Sequence, residues 1–226
     1  MALIGKNTVK ADNQIEKTLE TAFDCEGSDG IRVLFVGNSL LHHGPNSEIG
    51  WLNDCGMAAS SEENDYVHIV ERLVLEKDPR ATFCTCQAAK WEMNYLEGET
   101  VLPDFVRARD FEADIIIVHL LENCNFRTFN ADIFTEEYIR FLTYLDKKGQ
   151  ARFIVTSSFW KHPGDEVLGE IAKSNAMDYI YLGDLGEDAN MRADGLFEHA
   201  GVAMHPGDKG MKEIALRIFG KMDQYL

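Results

Sequence analysis

The chain has 226 residues, with 22 Lys and Arg against 38 Asp and Glu, a formal charge of −16, and 45% of its residues apolar. That length suits one domain with a substantial core, and the apolar fraction excludes a wholly disordered chain. The negative balance argues against nucleic acid, whose phosphates need clustered Lys and Arg, and runs such as Ile115–Val118 are too short to cross a bilayer.

Residues 1–29 are polar and read as an N-terminal extension, with a short helix expected over Gln14–Phe23 and a loop over Glu26–Gly30; residues 30–226 read as the folded domain. Met1–Lys10 lacks the apolar core and cleavage site of a signal peptide, so a cytoplasmic location is expected. Ile31–Val36, closed by Gly37, is an apolar run of the kind a buried strand needs. After a polar loop over residues 40–59, Ser60-x-x-Glu63 has the form of a capping box. Tyr66, Ile69, Val70, Leu73 and Val74 then repeat with helical spacing until Asp78-Pro79. Ala81–Cys86 reads as a strand, and a helix is expected within Val101–Arg109. Asp114–Leu121 carries four consecutive residues, Ile115 to Val118, apolar on both faces, which a central parallel strand covered by helices requires. Thr135–Lys147 is an amphipathic helix, Phe153–Ser157 a strand, Glu166–Lys173 a helix and Tyr179–Leu182 a strand. Gly210–Met222 is the final helix, with Met211, Ile214, Ala215 and Ile218 on one face. Five strands alternating with helices predict an α/β fold with a parallel sheet and right-handed crossovers.

Cys25, Cys55, Cys84, Cys86 and Cys124 are scattered, with no Cys-x-x-Cys and no Cys/His spacing for structural zinc, so buried free thiols are expected. In an open parallel sheet, ligands collect at the carboxyl ends of the strands. That confines the search to Gly37–Gly44, Gln87–Trp91, His119–Asn125, Ser157–Asp165 and Asp184–Asp208. Ser39 follows the Ile31–Val36 strand, and Gly37 permits a tight turn exposing its hydroxyl for attack on a carbonyl, given a base. Alone it equally reads as a turn cap, and Leu41 leaves the Gly-x-Ser-x-Gly elbow incomplete.

Among the seven histidines, His68 lies near the apolar face of a helix, His119 in a strand, and His42 and His43 on the serine's own loop. His162 and His205 share a context, each followed by Pro-Gly-Asp with the Asp a natural N-cap, and spacing does not choose between them. Asn123 can donate its amide N–H to the oxyanion of a tetrahedral intermediate, beside the backbone N–H of Ser39; taken singly it is an ordinary loop asparagine.

In chain order these residues resemble the SGNH hydrolases, the GDSL-like esterase superfamily. Gly37-Asn38-Ser39-Leu40 matches the family's first block, and Leu121-Glu122-Asn123 matches its third at Asn, with Leu where Gly is expected. His205-Pro206-Gly207-Asp208-Lys209-Gly210-Met211 matches the last block, which selects His205 over His162. The likeness runs from Ile31 to about Phe219, and the stretch from Gly56 to His68 is similar to a bacterial subgroup. It implies a three-layer α/β/α sandwich with a five-stranded parallel sheet, the flavodoxin-like SGNH hydrolase fold. It further implies a small-molecule substrate, a small acyl ester with acetylated sugars foremost. Ser39 would be the nucleophile, His205 the base, and Asn123 with the Ser39 amide the oxyanion donors, with no metal or organic cofactor. Trp51, Trp91 and Trp160 each read as packing residues, Trp160 being the best placed to meet a sugar. No oligomeric state follows from these residues.

Two departures from the family pattern stand out. Val202 occupies the position three before His205 where the triad Asp is expected, and no glycine follows the Ala81–Cys86 strand in Gln87-Ala88-Ala89-Lys90. His205 would then be held by a backbone carbonyl, by Asp194 or by Glu198. Such a dyad should titrate near the ordinary histidine value of ~6.5. The competing expectation is a protein that keeps the fold and binds a carbohydrate or acylated ligand without turnover. A flavodoxin-type nucleotide binder would need a phosphate loop, and neither Gly-x-x-x-x-Gly-Lys-Ser/Thr nor Gly-x-Gly-x-x-Gly follows the Ile31–Val36 strand.

Overall fold

The structure, a computed structural model, describes the backbone of residues 21–24 and all of residues 30–226. Six strands form one sheet: β1 (Thr21–Asp24), β2 (Arg32–Gly37), β3 (Thr82–Gln87), β4 (Ile115–Val118), β5 (Arg152–Thr156) and β6 (Asp178–Ile180). Their spatial order is β1-β3-β2-β4-β5-β6. The strands β2 to β6 pair in parallel, giving the expected five-stranded core, with Val33 opposite Phe83 on one side and Ile115 on the other. β1 adds an antiparallel edge strand that the polar N-terminal composition did not reveal. It supplies partners for the otherwise open edge of β3, whose backbone groups would face water. The helix expected over Gln14–Phe23 lies mostly outside the described residues, and its last three residues belong to β1.

Alternation along the strands builds two cores. Val33, Phe35, Ile115 and Ile117 face a layer containing α1 (Tyr66–Leu75) and α8 (Asp208–Met222). Leu34, Val36, Ile116 and Val118 face a layer containing α2 (Ala89–Asn94), α3 (Val106–Asp110), α4 (Ala131–Leu145) and α5 (Asp165–Ser174). The result is the three-layer α/β/α sandwich. On α4, Phe134, Tyr138, Phe141, Leu142 and Leu145 recur at helical spacing and are buried, and Phe141 stacks on Trp91 at 4.9 Å between centroids.

Several helix boundaries shift from expectation for local reasons. Asp65, not Ser60, caps α1, because its carboxylate accepts from His68 N at 2.9 Å. Ser60 instead donates from its amide and its hydroxyl to Asp208, both at 2.7 Å, tying the loop before α1 to the start of α8. Asp165 and Asp208 are the first residues of α5 and α8, with Gly164 and Gly207 at the caps. The helix expected within Val101–Arg109 is α3, which starts at Val106 and follows a 3₁₀ stretch over Tyr95–Phe105. Two short helices, α6 (Gly183–Glu187) and α7 (Ala200–Ala203), interrupt the long connection between β6 and α8. Cys55, Cys84, Cys86 and Cys124 are buried free thiols. No helix among the described residues is long and apolar enough to cross a membrane.

Candidate active site

The chain leaves β2 for β3 on one side and later returns to place β4 on the other, so the sheet order reverses beside β2. Loops diverge at that point and open a cleft at the carboxyl ends of the strands. The cleft measures about 440 Å³, and its lining includes Ser39, Glu92, Glu122, Asn123, Trp160 and His205.

Ser39 sits two residues beyond β2, on a turn closed by Leu41 N and His42 N donating to Asn38 O. A side chain at Gly37 would press within 2.8 Å of Leu41 Cβ, so the turn needs the glycine. His205 arrives from the other end of the chain, on the segment between α7 and α8. Ser39 Oγ lies 2.8 Å from His205 Nε2. On the far side of the ring, His205 Nδ1 lies 2.7 Å from the carbonyl oxygen of Gly201. Nδ1 therefore carries the proton it donates to that carbonyl, which leaves Nε2 as an acceptor for the serine hydroxyl.

The Gly201 carbonyl, in the short helix α7, takes the contact that a triad acid makes elsewhere. Val202 is buried in the core, and Asp194 is engaged by Arg192 at 2.7 Å. Trp160 packs edge-on to the His205 ring at 4.8 Å and is anchored by its Nε1 donating to Met204 O at 3.1 Å. Burial pushes the His205 pKa down to about 4, the hydrogen bond to Gly201 opposing this, so the expected value near ~6.5 is corrected by desolvation.

Asn123 lies on the same cleft, past β4. Its Nδ2 donates to Glu92 Oε2 at 2.6 Å. Glu92 and Glu122 are both enclosed, and Asn38 Nδ2 bridges them, donating to Glu92 Oε1 at 3.1 Å and to Glu122 Oε2 at 2.7 Å. Glu122 also contacts His119 Nε2 at 2.9 Å and accepts from Phe159 N at 2.8 Å. Burial would raise Glu122, but the adjacent His119 and the donors outweigh it and hold the carboxyl below the usual carboxylate range. Burial and the charge of Glu122 push Glu92 well above the usual carboxylate range, against the pull of its N–H donors.

The other polar candidates have structural partners. His162 lies 3.2 Å from Cys124 O and accepts from Gly164 N at 2.9 Å, while His42 pairs with Asp54 at 2.8 Å. His68 pairs with Asp65 and Glu62 on the surface of α1. Trp51 and Trp91 are core residues, and only Trp160 among the tryptophans reaches the cleft. The sequence marks His119 only as a strand residue and sets no motif on Glu92 or Glu122. Their one available signal was a carboxylate set among apolar neighbours, as in Trp91-Glu92-Met93 and Leu121-Glu122. No cluster of His, Cys, Asp and Glu suited to a metal ion occurs among the described residues.

This three-layer architecture is the fold that the SGNH resemblance implies, and it is shared with solved structures of a GDSL-like lipase and of carbohydrate esterases. The salicylyl-acyltransferase SsfX3 from a tetracycline biosynthetic pathway superposes with a TM-score of 0.59 at 14% identity, over 88% of this chain and 56% of that one. Esterase EstA from Pseudoalteromonas sp. gives 0.55 at 13% identity, over 87% of this chain and 98% of the other. A two-domain esterase active on acetylated mannans gives 0.53 at 16% identity, over 86% of this chain and 49% of its own length. The chain thus spans about half of the two-domain esterase and nearly all of EstA. No protein-family model matches the chain, and no curated protein does.

Proposed function

We propose that this protein is a serine ester hydrolase acting on small acyl esters, acetyl esters of carbohydrates foremost, through a Ser39–His205 dyad. The observation that carries this reading is the 2.8 Å contact between Ser39 Oγ and His205 Nε2 inside an open cleft. In the proposed reaction, Ser39 Oγ attacks the ester carbonyl and its proton passes to His205 Nε2. The tetrahedral oxyanion is met by the Ser39 backbone N–H and the amide of Asn123. Collapse expels the alcohol, which takes the proton from His205, and leaves an acyl-enzyme. Water then repeats the sequence and frees the acid.

The Gly201 carbonyl keeps the tautomer correct but brings no full negative charge to offset the imidazolium that forms. Low polarity around His205 makes the ring a weak base at rest, so its proton is returned readily to the leaving alcohol. Among the described residues, the cleft lining holds two glutamates and no Lys or Arg, which favours a neutral substrate over an anionic one. Structural likeness to an esterase of acetylated mannans supports the sugar-ester class, with Trp160 available to a pyranose face.

The test is hydrolysis of p-nitrophenyl acetate and of acetylated sugars by the wild type and by Ser39→Ala. Loss of on the order of 10³-fold or more in the variant is expected. Equal rates would overturn the hydrolase and leave a ligand-binding protein of the same fold.

A further inference from the structure

We propose that Glu92 is a positioning residue, a carboxylate clamp that fixes the amide of Asn123 and the turn carrying it. The inference rests on the ester-hydrolase reading for its kinetic consequences and on geometry alone for the clamp. Glu92 lies on α2, in the segment where the family resemblance leads one to expect a glycine, and reaches across the end of the sheet to the loop after β4. Its Oε1 accepts from Leu121 N at 2.6 Å, Asn38 Nδ2 at 3.1 Å and Asn123 N at 3.4 Å, and its Oε2 accepts from Asn123 Nδ2 at 2.6 Å. Every one of these contacts is a donor to Glu92, so both carboxylate oxygens are used as acceptors.

The arrangement solves two local problems at once. Leu121 has a φ of 156°, a conformation that suits glycine, at the very position where the family pattern has glycine. Its short hydrogen bond to Glu92 holds that backbone in place. Asn123 has two amide hydrogens, and giving one to Glu92 sets which edge of the amide is Nδ2 and leaves the second free to serve an oxyanion. A side-chain amide in place of this carboxylate, as in Glu92→Gln, has one acceptor oxygen only and must turn its NH2 toward one or other set of donors.

The clamp works in the ionised form, since a proton on either oxygen would have to displace a donor. Groups facing Glu92 are Glu122, itself paired with His119, together with Asn38, Asn123, Cys124 and Tyr138. Burial pushes the Cys124 thiol and the Tyr138 hydroxyl up, which keeps both neutral, so Glu122 is the charge that Glu92 feels most. Burial and that charge push its titration well above the ordinary carboxylate range. Turnover should therefore gain an ascending pH limb from Glu92, separate from the His205 titration at about 4.

Two measurements test this. In wild-type protein labelled with nitrogen-15, the Asn123 side-chain NH2 signals, assigned by their loss in Asn123→Ala, should shift as Glu92 titrates and collapse toward free-amide positions in Glu92→Gln. Identical, pH-independent signals in wild type and Glu92→Gln overturn the clamp, whatever the protein catalyses. In the kinetic arm, Glu92→Gln should lower kcat on the order of 10²-fold with KM within about threefold, and abolish the ascending limb assigned to Glu92. Combined with Asn123→Ala it should cost no more than Asn123→Ala alone, since both act through one amide. Multiplying effects would refute action through Asn123. Should Glu92→Gln fail to fold, the wild-type NMR titration decides. Equal p-nitrophenyl acetate rates in wild type and Ser39→Ala would remove the hydrolase reading, and the NMR arm would still decide the clamp.

Discussion

Restoring the family's missing acid should damage this protein rather than improve it. The perturbation is Val202→Asp, which places a carboxyl three residues before His205. Val202 is fully buried, in α7, and belongs to the core that includes Val33, Phe35 and Ile214. Losing that burial costs about 1.5–2 kcal/mol. Enclosing a carboxyl with no donor waiting for it adds about 1–3 kcal/mol. The total, about 2.5–5 kcal/mol, is a large part of the ~5–15 kcal/mol that holds a domain folded. Nor is there a vacancy for the new group on the histidine, because Nδ1 already lies 2.7 Å from Gly201 O. Urea unfolding followed by tryptophan fluorescence should show a lower midpoint with an unchanged slope, and p-nitrophenyl acetate hydrolysis should fall with the folded fraction. A variant as stable as the wild type that also turns over faster would refute the reasoning. It would mean that α7 rearranges easily and that the carbonyl contact is not what holds the ring.

Other outcomes follow from the same packing. The His205 ring should stay neutral down to about pH 4 when followed by its Cε1 proton resonance, because burial disfavours the cation; a midpoint near ~6.5 would show that water reaches it. Between those values the unfolded chain binds a proton that the folded chain refuses, so this residue's contribution makes stability fall as pH drops through the window. Trp160→Ala removes the ring beside His205 and should raise that midpoint. His68 behaves in the opposite sense: burial lowers its pKa, but the hydrogen bond and charge of Asp65, with Glu71 and Glu62, outweigh this and raise it to about 9. Its stabilisation is complete below ~6.5 and is lost as pH rises through about 9, and His68→Gln should flatten that part of the stability profile. Gly186→Ala would place a methyl 1.9 Å from Phe159 O, a backbone atom that cannot yield, and should destabilise by roughly 1–3 kcal/mol on chemical unfolding.

The layers are legible in the order of amino acids alone. Ile115 to Val118 is apolar on both faces, and a strand of that kind is stable only between two helical layers, so its central parallel position could be read directly. The serine turn and the final His-Pro-Gly-Asp block were likewise visible, because each is written in consecutive residues. Contacts between distant segments are not legible in that order and arise from the fold. Ser39 and His205 are 166 positions apart and meet at 2.8 Å because the reversal of strand order opens a cleft where both loops end. Gly201 orients the histidine through a backbone carbonyl, and a carbonyl has no letter in the sequence. The carboxylates of Glu92 and Glu122 share Asn38 only because three strands end side by side, and their opposite pKa shifts depend on burial and neighbours that no linear pattern encodes. β1 escaped notice for a related reason: an edge strand is held by the backbone of its partner and needs no apolar pattern of its own.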